Sequence, residues 1–172
     1  RDCLLSRGLG DVYKRQETDK ALQHKWFAGQ MDIARELKLP IAIHSRDAAQ
    51  DTIQIMRASR AEEIGGVIHC YSYSKESARD FLNMGFYFGI GGVVTFKNAK
   101  KLKEAVAYIP LSNIVLETDA PYLTPEPFRG KRNDSSKLVY VAQAIADIKQ
   151  IPVDEVYAET WKNAHQMYKI QK

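Results

Sequence analysis

Three short apolar runs in this chain end on residues that can bind a proton or a cation. Ile41-Ala42-Ile43 runs into His44, Val67-Ile68 into His69, and Ile114 to Leu116 into Glu117 and then Asp119. A further run, Phe86 to Ile90, closes on Gly91-Gly92. Apolar runs this short, bounded by turn residues, read as buried strands. Each gap between them has room for a helix and carries apolar residues at helical spacing. Strands alternating with helices make βα units around a parallel sheet, so the expected fold class is α/β.

The segment before the first strand repeats Leu22, Trp26, Ile33 and Leu37 at helical spacing, with Phe27, Met31 and Ala34 widening the stripe. An amphipathic helix with that stripe on the core is expected, ended by Pro40. Asp47 is placed to N-cap a helix from Ala48 to Arg60, and Ser74 to cap one from Lys75 to Met84 that stops at Gly85. A fourth helix, about Asn98 to Tyr108, precedes Pro110 and the Ile114 strand. Beyond that strand lies a polar loop, Pro121 to Ser136, with a basic cluster at Arg129, Lys131 and Arg132. Two helices, about Lys137 to Lys149 and Val153 to Tyr168, complete the pattern.

A chain of 172 residues, 45% of them apolar, suits one domain with a sizeable core. The net charge of +4 permits an anionic substrate without requiring one. Cys3 and Cys70 form neither a C-x-x-C pair nor a disulfide framework, which fits a reducing cytoplasm. No apolar run approaches the roughly 18 residues of a membrane span, so no membrane partner is expected. Residues 1–16 have no sustained period and end in a basic cluster. They read as an unrelated or disordered leader, with residues 17–172 as the folded part.

In parallel α/β folds the C-terminal ends of the strands share one face, and sites form there. His44, His69 and Asp119 can therefore converge without being close in sequence. Two imidazoles and a carboxylate suit a divalent cation such as Zn, Mn or Fe, and harder ions such as Mg once oxygen ligands are added. Taken singly, each has an ordinary explanation. A strand-end histidine is often a hydrogen-bonded core residue, and an Asp there often caps the next turn. Recurrence at one structural position is what favours a metal site. His24 and His165 fall within helix patterns and read as surface or packing residues.

These motifs resemble a known family. Pro40-Ile41-Ala42-Ile43-His44-Ser45-Arg46-Asp47-Ala48 resembles the fifth-strand motif of the TatD metal-dependent deoxyribonucleases. Val67-Ile68-His69-Cys70-Tyr71-Ser72 is similar to the next strand's motif, and Leu116-Glu117-Thr118-Asp119-Ala120-Pro121-Tyr122-Leu123 to the eighth. Pro127-Phe128-Arg129-Gly130-Lys131-Arg132-Asn133 resembles the basic loop that follows, and Asn163 fits the last helix. The likeness runs from about Glu17 to the C-terminus. It implies a (β/α)8 TIM barrel of the amidohydrolase-like type, of which this chain supplies about four C-terminal βα units. It implies His44, His69 and Asp119 as ligands of a divalent metal, Mg, Mn or Zn, with Asp119 also taking a proton from the attacking water. Arg129 and Lys131 would hold substrate phosphates, with a solvated loop as the alternative. Glu117 would orient the site from behind the ligands or be a purely structural pairing.

The implied activity is hydrolysis of DNA phosphodiester bonds by metal-activated water, single-stranded ends being the expected substrate. The departures from the family pattern limit that expectation. A complete barrel typically needs about 250 residues. No H-x-H pair occurs in this sequence, and Ser6, Arg7 and Gly8 stand where the family's fourth-strand glutamate is expected. The chain therefore reads as the C-terminal part of such an enzyme, weakly active or inactive alone, and prone to self-association through open sheet edges. Two alternatives stand beside this reading: ester hydrolysis on D-aminoacyl-tRNA, assigned to some relatives, and a non-catalytic half-barrel.

Overall fold

The structure is a computed structural model that describes residues 19–170. The leader expected at residues 1–16 lies outside the described residues. The elements follow the βα order: α1 (Lys20–Leu37), β1 (Ile41–His44), α2 (Ala49–Ala58), β2 (Gly66–His69), α3 (Lys75–Asn83), β3 (Tyr87–Ile90), α4 (Lys100–Tyr108), β4 (Ile114–Leu116), α5 (Leu138–Lys149) and α6 (Val153–Met167). The four strands form one sheet in sequential order β1-β2-β3-β4, and every neighbouring pair is parallel. Register pairs His44 with His69 across β1 and β2. Gly66 makes that pairing close. A Cβ there would stand 1.9 Å from the Ile41 carbonyl oxygen, and its φ of +145° suits glycine alone.

Side chains alternate between the two faces of a strand. One face carries Ile43, Ile68, Phe86, Phe88, Ile90 and Ile114 into the main core, where Met31, Ile53, Met56, Phe81, Ile109 and Ile145 pack from the helical side. Tyr71 meets Phe88 edge-on at 5.0 Å between ring centroids. Burial holds its phenol well above the usual range, so the ring enters the core neutral. The other face is thinly covered. Val67 and Val115 pack there against Met167, with Tyr87 and Ala164 alongside, so the end of α6 reaches across the sheet.

Three local expectations need correction. The stripe Leu22, Trp26, Ile33 and Leu37 points outward, with Leu37 60% exposed, whereas Met31 is wholly buried and Phe27 packs on the core. The helix carries two apolar stripes. Its rotation brings Arg35 to Glu63, with a Nε–Oε2 separation of 3.4 Å, and to the Ser59 carbonyl beyond α2. Asp47 does not cap α2, because the cap position is Ala48 and Asp47 adopts a left-handed φ of 54°. The start of α2 is tied down by tertiary contacts instead. Tyr73 Oη accepts the Ala48 N–H at 3.2 Å, and Ser45 Oγ lies 2.7 Å from both Tyr73 Oη and Thr52 Oγ1. Ser74 does occupy the cap position of α3 but makes no capping bond to the backbone. Its hydroxyl is hydrogen-bonded to the Glu76 carboxylate and holds it below the usual range.

Candidate metal centre

His44 and His69 are the last residues of β1 and β2, and both fall on the sheet face opposite the main core. Their rings lie 5.7 Å apart between centroids. Glu117, one residue past β4, sends its carboxylate back along the same face. Its Oε2 is 2.8 Å from His69 Nδ1, and its Oε1 accepts the Cys70 N–H. The other ring nitrogen of His69, Nε2, is 3.9 Å from Asp119 Oδ1. Both carboxylates are mostly buried, with side-chain exposures of 15% for Glu117 and 12% for Asp119. His44, His69, Glu117 and Asp119 thus share one end of the sheet.

An ionised carboxylate only accepts hydrogen bonds, so the proton in the His69–Glu117 contact belongs to His69 Nδ1. Nε2 is then the nitrogen with a lone pair, and it faces Asp119. Two ligands each about 2.1 Å from one ion can lie up to roughly 4 Å apart, so the His69–Asp119 separation would admit a shared cation. The donor set therefore suits a divalent metal. Among the described residues, however, no three His, Cys, Asp or Glu side chains close around a common point as a complete metal site.

The basic loop is more ordered than a solvated segment. Asn133 is buried, donates to the Tyr122 carbonyl at 2.8 Å, and receives the Asp134 N–H at 3.0 Å. Thr124 donates to the Lys131 carbonyl. The Arg129 guanidinium sits 4.4 Å over the Phe96 ring, and Phe128 meets Tyr140 edge-on. Arg129 and Lys131 therefore stand on a latched loop beyond β4, with Arg129 held by cation–π attraction. Phe96 directly follows the 3-10 turn Gly92–Thr95, an element the sequence pattern did not suggest. His24 is exposed near Asp51, and His165 bonds the Trp161 carbonyl within α6, as surface residues do.

One participant was missed. Gly89 lies on the same face between His69 and Val115, and a Cβ there would stand 2.0 Å from Glu117 Oε2. A lone glycine inside a strand is the signal that could have found it, since it marks a place where another group approaches closely.

A sequential all-parallel sheet flanked by helices, with histidines and carboxylates at its C-terminal edge, defines part of an α/β metallohydrolase-type barrel. The chain belongs to the TatD-related DNase family, whose sequence profile matches residues 7–169, opening upstream of the Glu17 boundary drawn from the motifs. It is 44% identical over 162 residues to the uncharacterized metal-dependent hydrolase YabD of Bacillus subtilis, covering 94% of this chain and 64% of that protein. It is 39% identical over 160 residues to YcfH of Escherichia coli K12, another uncharacterized metal-dependent hydrolase, covering 93% of this chain and 60% of that one. Its fold superposes on the crystal structure of the TatD homologue YJJV of Escherichia coli with a TM-score of 0.82 at 26% identity, over 88% of this chain and 58% of that one. A TatD-family hydrolase of Entamoeba histolytica matches with a TM-score of 0.81 at 22% identity, over 92% of this chain and 61% of that one. The chain thus spans less than two thirds of the length of these relatives. Among the described residues no helix is long and apolar enough to cross a membrane.

Proposed function

We propose that the strand-end cluster is a divalent-metal centre for hydrolysing phosphodiester bonds in DNA. The observation that carries this reading is His69, whose Nδ1 is engaged by Glu117 while Nε2 is turned to Asp119 at 3.9 Å. His44, His69 and Asp119 are the residues that would hold the ion. A divalent cation so held would supply Lewis-acid polarisation of the phosphate and of the attacking water. Asp119 takes the proton of the attacking water. Glu117 keeps His69 in ligating orientation, since outer partners of a metal-bound histidine fix its ring and tautomer. Arg129 and Lys131 bind the flanking phosphates, for which the planar guanidinium of Arg129 offers a two-pronged donor. The donors read in this chain are three, His44, His69 and Asp119, and slow turnover is expected of them alone.

The test is release of nucleotides from single-stranded DNA by the purified chain with Mg²⁺ or Mn²⁺, beside Asp119→Asn. Slow, metal-dependent release that the substitution abolishes is expected. Turnover untouched by the substitution would belong to a contaminant and count against the centre. Cleavage of D-aminoacyl-tRNA but not DNA would move the substrate to the ester class.

A further inference from the structure

Gly89 sits at the crossing of the contacts that hold His69. On the site face of the sheet it is flanked by β2, which ends at His69, and by Val115 of β4. A methyl group at Gly89 would stand 2.0 Å from Glu117 Oε2, 2.4 Å from its Cδ and 2.8 Å from Oε1. The Glu117 carboxylate therefore fills the space that any other residue at position 89 would take. From there it reaches two donors at once, His69 Nδ1 at 2.8 Å and the Cys70 N–H. Gly89 also holds the backbone just beyond them, its carbonyl accepting the Tyr71 N–H at 3.0 Å.

The donor and acceptor roles leave little freedom. Both carboxylate oxygens accept, the Cys70 N–H can only donate, and His69 must therefore present its proton at Nδ1. We infer that Gly89 and Glu117 form a device that sets the His69 tautomer, Gly89 by leaving room and Glu117 by accepting at both oxygens, so that Nε2 is the ligating nitrogen. Gly89 and Glu117 are thus positioning residues acting through His69. The purpose of the device rests on the metal reading above. The tautomer does not, because it belongs to the metal-free chain.

Glu117→Gln keeps the shape and changes the roles. The amide has one acceptor and one donor on the same fork. Its oxygen must serve the Cys70 N–H, which cannot reverse, so its NH₂ faces His69 Nδ1 and needs a lone pair there. The proton then moves to Nε2, the ligating position. Imidazole ¹⁵N–¹H correlation spectra of the metal-free protein at about pH 8.5, where an ordinary histidine is neutral, read this directly. The wild type is expected to carry the His69 proton on Nδ1, and Glu117→Gln to carry it on Nε2 with an unchanged circular dichroism spectrum. Gly89→Ala, which displaces Glu117, is expected to lose the fixed Nδ1 proton as well. Mn²⁺ affinity should fall at least about 10-fold in both variants. A wild type with the proton on Nε2 overturns the inference, and so does a folded Glu117→Gln that keeps it on Nδ1. The wild-type spectrum decides even if a variant fails to fold. A wild type with the Nδ1 proton but no measurable Mn²⁺ binding upholds the tautomer device and removes the metal reading instead.

Discussion

Asn163 is fully buried on α6, and its Nδ2 donates to the carbonyls of Leu111 and Ile114 at 2.8 Å each. Those carbonyls sit where the chain enters β4, so one amide fastens the last helix to the strand that leads to Glu117 and Asp119. Replacing it with Ala leaves the buried Ile114 carbonyl without this donor, while the Leu111 carbonyl keeps the Ile114 N–H. Asn163→Ala is predicted to cost about 2–3 kcal/mol in urea denaturation, and a loss below about 0.5 kcal/mol would show that the helix is held by packing alone. Tyr73 has a comparable role at the start of α2, where its hydroxyl joins Ser45 and the Ala48 N–H. Tyr73→Phe is predicted to destabilise by about 1–2 kcal/mol by the same measurement. In the sequence neither residue could be assigned these partners, since the contacts join segments far apart along the chain.

At the scale of elements, α1 offers a controlled comparison between two apolar faces. Met31 is wholly buried, whereas Trp26 is more than half exposed. Met31→Ala is predicted to cost about 2–5 kcal/mol, and Trp26→Ala less than about 0.5 kcal/mol, by chemical denaturation of the monomer. Equal losses would mean that the helix is rotated from the orientation described. This is where the sequence was least legible. Period 3.6 marks a face as apolar but does not say which of two such faces meets the sheet. The strands were clear because each apolar run was short and punctuated by turn residues, and three of the four ended on a histidine or a carboxylate. Their parallel pairing followed from the helices between them. The cap at Asp47 misled because a local capping preference is worth only about 1 kcal/mol and yields to tertiary partners such as Tyr73, whereas Ser74 takes the cap position and gives its hydroxyl to the neighbouring Glu76 carboxylate. Within the site, His44, His69, Glu117 and Asp119 were legible from strand-end position. Gly89 was hidden because its role is to be small.

At the scale of the molecule, β1 and β4 are the edges of the described sheet, and α1 turns an apolar stripe outward. Open edges with apolar flanks favour pairing with another chain. Sedimentation velocity is predicted to show concentration-dependent self-association, reduced by Trp26→Glu with Leu37→Glu; a strict monomer at all concentrations would contradict this. Whether the strand ends of this family member hold a divalent cation through His69 and Asp119 is decided by equilibrium binding of Mn²⁺ to the purified chain. Weak, saturable binding is expected, dropping at least about 10-fold in Asp119→Asn and in His69→Ala with the fold intact by circular dichroism. Absence of binding in the wild type, or binding that both substitutions leave unchanged, would contradict it.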